Sequence, residues 1–318
     1  MTADAVAETK PLSEAARRIG TIEALVNPLS GSVGPDAAQE LKAILAEHGM
    51  SAKIRMLQGD DFEATIDAAV EAAPDLLIVL AGDGTACAAA TRCGADGPLV
   101  APLAGGTMNM LPYALYGAKP WQEGLRETLA EGVERPVSGG VVGGHYFYVA
   151  AIIGAPALWA RAREAIRAGR VKMAVAWARN AWRRAFDRNL CFSLDSGLRG
   201  KADALTLLCP LVSKAMEDDD RALEAAVLDP KGAADAFRLA LHTVASEVTP
   251  RFDWRDDPSV EMARCRSGSA WASASIPALC DGETRRLGHF AKIEFCQTAF
   301  RAIAPAVKHT PPAVGGAG

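Results

Sequence analysis

The 318-residue chain is half apolar, with a formal net charge of -4 and an isoelectric point near 5.8. It can bury a large core, but it lacks the broad basic face that coating a nucleic acid requires. Seven cysteines, odd in number and never spaced C-x-x-C, exclude a disulfide framework or a zinc site and read as reduced, structural thiols.

No run approaches the roughly 20 apolar residues of a spanning helix, and Asp4, Glu8, Lys10 and Glu14 interrupt any secretion signal. This predicts a cytoplasmic protein, associated with membranes only peripherally. In chain order, residues 1–20 are expected to be a disordered N-terminus and 307–318 a disordered tail, both poor in large apolar residues. From Ile22 to about Arg135, short apolar runs alternate with helical patterns, the signature of a parallel sheet with helices on its faces. A strand at Ile22 to Val26 leads into a turn-rich loop and a helix opening near Asp36, with Leu41, Ile44 and Leu45 on one face and Gly49 at its end. Ala52, Ile54 and Met56 alternate as a second strand; Phe62, Ile66 and Val70 mark a second helix. The run Leu76 to Ala81 reads as a strand buried on both faces.

After Pro136 the pattern changes to a mostly antiparallel sheet, with strands near His145–Val149, Cys191–Leu194, Leu205–Leu208, Leu223–Leu228, Ala291–Phe295 and Phe300–Ile303. Helical stretches are expected at about 157–188 and 233–248. The domains are therefore 21–135, joined by 297–306, and 136–296 with its helical insertion.

Three loops follow parallel strands at the edge where ligands bind in open sheets. They are Asn27-Pro28-Leu29-Ser30-Gly31, Gly82-Asp83-Gly84-Thr85 and Pro102 to Asn109, the last containing Gly105-Gly106-Thr107. Glycines let backbone approach phosphates, and a following helix offers unpaired N–H groups to anionic oxygens. Asp83 cannot bind phosphate, so its expected work is to hold a magnesium ion or its waters. Asp281-Gly282-Glu283, taken alone, reads as an exposed hairpin turn.

Together these motifs resemble the diacylglycerol kinase catalytic family, which includes bacterial diacylglycerol kinases and the sphingosine and ceramide kinases. The resemblance covers about residues 21–305. It implies an N-terminal three-layer α/β domain similar to phosphofructokinase and NAD kinase, and a C-terminal β-sandwich. It also implies an ATP- and Mg2+-dependent kinase for a lipid hydroxyl. Asn27, Pro28, Ser30, Gly31, Gly82, Gly84, Thr85, Gly106, Thr107 and Asn109 would bind the nucleotide. Glu283 would be the general base, Asp83 would place metal and phosphates, and Asp281 would orient the base or the metal. Asp218-Asp219-Asp220 resembles an acidic stretch that holds a structural magnesium, with Asp220 the candidate ligand; a solvated acidic turn is the other reading. The chain departs from the family pattern at Ala81 in place of a first Gly, Cys87 and Ala88 in place of Asn and Glu, Met110 after the Asn, and Ser138 in place of Asp. Fewer acidic anchors then remain around the phosphates.

The segment 158–188 interleaves Trp159, Trp177, Trp182 and Phe186 with nine Arg and Lys residues, which suits an anionic membrane surface. Two competing readings stand beside the lipid kinase. One is a soluble-substrate kinase of the NAD kinase type. The other is a catalytically degenerate protein that binds lipid or nucleotide.

Overall fold

The computed structural model describes residues 10–59, 61–154, 157, 190–213, 221–228 and 260–306. These fall into two compact units. The first holds the residues up to Gly82, Arg92–Pro136 and those from Arg301; the second holds Asp83–Thr91 and Val137–Phe300.

In the first unit the chain runs α1 (Glu14–Arg17), β1 (Ile22–Val26), α2 (Ala37–Glu47), β2 (Lys53–Met56), α3 (Phe62–Glu71) and β3 (Leu76–Ala81). Helix α4 (Asp83–Cys93) opens directly after Gly82, followed by β4 (Leu99–Ala104), α5 (Met110–Tyr116) and α6 (Trp121–Glu131). Strand order is β2-β1-β3-β4, all parallel. All six β3 residues, Leu-Leu-Ile-Val-Leu-Ala, are buried, as a central parallel strand requires. On α2 the buried positions are Ala37, Leu41, Ile44 and Leu45, at helical spacing. Each large aliphatic side chain there contributes roughly 1.5–3 kcal/mol of transfer free energy. Gly49, at φ 70°, follows the helix as a left-handed cap residue.

Two expectations are corrected here. Residues 10–20 are ordered: Ser13 caps α1 by accepting from the amide of Ala16, and its own amide donates to the carbonyl of Leu129. The low apolar content of this stretch concealed it, because backbone hydrogen bonds and only two buried side chains, Ala16 and Ile19, anchor it. Pro102, Leu103 and Ala104 belong to β4, where Pro102 lies opposite Val79, so the third loop begins only at Gly105.

The second unit is built from two antiparallel sheets. Strands β5 (Gly132–Val142), β6 (His145–Phe147), β7 (Ala150–Gly154), β8 (Leu190–Leu194), β9 (Arg199–Ala202), β10 (Ala204–Leu208) and β11 (Leu223–Leu228) are followed by β12 (Val260–Cys265), β13 (Ser267–Trp271), β14 (Pro277–Cys280), β15 (Glu283–Arg286) and β16 (Phe290–Pro305). One sheet runs β12-β11-β10-β7-β14-β15; in the other, β16 pairs β13, β13 pairs β8 and β8 pairs β9. Phe192, Ala270 and Ile293 from one sheet share a buried cluster with Ile153, Leu205, Ala225 and Ala278 from the other, which makes a sandwich core. The two strands expected at 291–295 and 300–303 are one, β16, whose first residues alternate exposed and buried. Strands β5 and β16 are each divided between the units. The expected helices at 157–188 and 233–248 lie outside the described residues, Ala157 excepted. No described helix is long and apolar enough to cross a membrane.

Glu47, at the end of α2, ties the N-terminal segment down. Its carboxylate accepts from Arg126 Nη2 at 2.9 Å and from Lys10 Nζ, and its carbonyl accepts from the amide of Lys10 at 2.9 Å. The hydrogen bond from Arg126, then that from Lys10, holds this carboxyl at about 2, below its ordinary 4.5. A carboxyl lowered by folding stabilises above its unfolded value and loses that contribution as pH falls through the folded one. The destabilisation of Glu47→Gln, read as a Tm difference from wild type, should therefore be present at about pH 6 and vanish as pH falls from about 4.5 toward 2. Solvent screening keeps it small.

Candidate active site

Three loops at the carboxyl ends of β1, β3 and β4 meet in the first unit. Asn27 shapes the first: its Oδ1 accepts from the amide of Leu29 at 3.0 Å, and its carbonyl from that of Ser30 at 3.1 Å. Ser32 fastens this loop to the third, its hydroxyl donating to the carbonyls of Ala104 and Gly106 at 3.2 and 3.0 Å. A methyl group on Gly82 would lie 3.8 Å from Ser30 Oγ, and one on Gly31 3.2 Å from Thr107 Oγ1. Gly105 is closer still to its neighbour, since a Cβ there would stand 2.7 Å from the backbone nitrogen of Ala81. The loops thus converge with little side-chain bulk between them.

Asn109 takes a different position from the one expected of a ligand-contacting residue. It is 3 % exposed and left-handed at φ 50°. Its Oδ1 accepts from the amide of Gly106 at 2.7 Å, and its Nδ2 donates to the carbonyl of Gly106 at 3.1 Å and to Tyr113 Oη at 3.3 Å. It therefore shapes the Gly106–Asn109 loop from behind.

Asp83 is the first residue of α4, and Thr85, two residues on, is buried. In the second unit, Asp281 and Gly282 form the two-residue turn between β14 and β15, with Cys280 opposite Glu283. Their φ values of 46° and 84° are the positive pair that a type I′ hairpin turn requires. The turn is not exposed. Asp281 is 2 % exposed, and its carboxylate accepts from the amides of Tyr148 at 2.6 Å, Val149 at 2.9 Å and Ala150 at 2.9 Å. Its own amide donates to the carbonyl of Ala150 at 2.9 Å. Burial pushes this carboxyl up from its ordinary range; the three amides and the Cys87 thiol pull it back.

Two residues on, exposed Glu283 reaches the N-terminal turn of α4. A Cβ on Gly84 would lie 2.9 Å from Glu283 Oε1, so a larger residue there would require that carboxylate to shift. Asp83 and Glu283, far apart in sequence, thus belong to one cluster, and both act electrostatically on Cys87. Cys87 and Thr91 were not singled out as functional, although they follow Asp83 at i+4 and i+8 on one helical face. Thr91 Oγ1 lies 2.7 Å from Tyr148 Oη. This polar stripe was the available signal.

Asp220 and its acidic stretch lie outside the described residues, as does the 158–188 segment. Among the described residues no three His, Cys, Asp or Glu side chains converge on a metal position.

An α/β unit with glycine loops at its strand ends, joined to a β-sandwich unit, defines the architecture. Residues 22–142 match the family described as Diacylglycerol kinase catalytic domain. Among solved structures, a diacylglycerol kinase from Bacillus anthracis str. Sterne is 16 % identical, with 90 % of this chain and 97 % of that one covered at a TM-score of 0.63. Two further chains from the same organism are each 18 % identical, with TM-scores of 0.65 and 0.62, and cover 90 % and 93 % of this chain and 98 % and 99 % of their own. These likenesses establish the shared fold. No curated protein matches the sequence.

Two outcomes follow for variants. Gly84→Ala should fold normally by circular dichroism while lowering kcat for phosphoryl transfer about tenfold or more, because displacement of a reacting group is costly. Asp281→Ala would strand three backbone amides, and urea unfolding should show a loss of roughly 3–5 kcal/mol.

Proposed function

We propose that the chain transfers the γ-phosphoryl group of ATP, with magnesium, to a hydroxyl of a long-chain lipid such as diacylglycerol, ceramide or a sphingoid base. The observation that carries this reading is the approach of Glu283 to the N-terminal turn of α4, which brings a carboxylate beside Asp83 in a chain whose residues 22–142 match a kinase catalytic family.

The glycine loops at Asn27–Gly31, Gly82–Thr85 and Gly105–Asn109 bind the nucleotide through backbone N–H groups. Asp83 would hold the magnesium or its waters. When bound, the ion neutralises charge on the phosphate oxygens. Glu283 accepts the proton of the lipid hydroxyl as the bond from that oxygen to the γ-phosphorus forms. The bond from the γ-phosphorus to the bridging oxygen breaks, and its electron pair leaves with ADP. Asp281 orients Glu283 rather than touching substrate, because its carboxylate already receives three amides and a thiol. The enzyme meets its substrate at an anionic membrane surface through the basic, tryptophan-rich residues 158–188.

Incubation with γ-labelled ATP and a panel of extracted lipids should yield one labelled lipid phosphate. Glu283→Gln should lower that rate by roughly 10²–10⁴, the usual worth of a positioned base, and Asp83→Ala should abolish it. A wild-type enzyme that labels only soluble acceptors, or nothing, would overturn the reading.

A further inference from the structure

Cys87 stands one helical turn after Asp83, and its Sγ donates to Oδ2 of Asp281 at 3.4 Å. A carboxylate has about four lone-pair sites, and Asp281 has four such donors: the amides of Tyr148, Val149 and Ala150, and this thiol. Three come from the strand side of the turn. The fourth comes from α4.

We infer that Cys87 is a positioning residue of the site: by donating its S–H to Asp281, it fastens the helix that begins at Asp83 to the turn that carries Glu283. The inference rests on the kinase reading above. Geometry explains why a neutral donor is needed there. The side chain is half-buried between Asp281, Asp83 and Glu283, so an acceptor or anion at position 87 would face carboxylates on several sides. A thiol serves because burial, and then the charges of Asp281, Asp83 and Glu283, push it well above its ordinary range and keep it protonated. Asparagine at this position would also offer a neutral N–H donor.

The contact predicts different behaviour from a thiol that merely fills space. Cys87→Ala deletes the donor with little change of volume, whereas Cys87→Asn restores one. In the lipid phosphorylation assay, Cys87→Ala should lower kcat about tenfold or more, with KM for ATP within about twofold of wild type, as expected when a reacting group is misplaced but nucleotide binding is intact. Cys87→Asn should recover most of that loss, and both variants should unfold within a few degrees of wild type. Equal rates for Cys87→Ala and wild type, or equal loss in Cys87→Ala and Cys87→Asn, would overturn the inference and leave the kinase reading standing. A contact measurement needs no turnover. The infrared S–H stretching band, isolated as the difference between wild type and Cys87→Ser, should lie at lower frequency than a free thiol and shift upward in Asp281→Asn. A free-thiol frequency in wild type would sink the inference by itself. A wild-type protein that phosphorylates no lipid would overturn the kinase reading and the positioning role with it, while the band would still report the contact.

Discussion

A single carboxylate organises this site. Asp281 stands at the tip of a two-residue turn, nearly inaccessible to water, and collects the amides of Tyr148, Val149 and Ala150, which lead into β7. Burying a charge this way is costly unless every lone pair finds a donor. Once satisfied, the arrangement leaves the turn little freedom. The β14–β15 hairpin is pinned to β7 at its tip as well as along its ladder, and Glu283 inherits a defined position although it is itself exposed. A rigid turn can present a proton acceptor repeatedly in one place, as positioned general-base chemistry demands.

The same carboxylate explains why the first nine residues of α4 group with the sandwich unit rather than with the sheet from which the helix emerges. Cys87 donates to Asp281, Thr91 bonds the hydroxyl of Tyr148, and the amide of Tyr148 donates back to Asp281. Helix α4 thus presents Cys87 and Thr91 from one polar stripe to Asp281 and Tyr148. The ring of Tyr148 completes the anchor by packing edge-on against Phe300, with centroids 5.0 Å apart. A domain boundary drawn from apolar periodicity cannot detect such a seam, because its members are polar and each is unremarkable alone.

The departures from the family pattern acquire different meanings in this light. Cys87 keeps a hydrogen-bond donor directed at Asp281. Ala81 is the fully buried last residue of β3, and its backbone is the surface against which Gly105 packs. Nothing in the structure explains Met110 or Ser138.

By itself the sequence determined the order of elements from β1 to β3, the continuous burial of β3, the antiparallel character of the second unit, and the three loops rich in Gly, Ser, Thr and Asn. These follow from local periodicity and local turn chemistry, which act over a few residues. It also marked Asp281-Gly282 as a hairpin turn, which it is, but could not reveal that the turn is buried. Only the tertiary structure decided that Asp281 binds the amides of residues 148–150, that Glu283 lies over Gly84, that Asn109 faces inward to hold its own loop, and that Cys87 has a partner. Each is a contact between segments distant in the chain or a choice of which way a side chain turns. The pairing register of β7 with β14 and the packing of α4 set these contacts, and neither is written in the periodicity of any one segment.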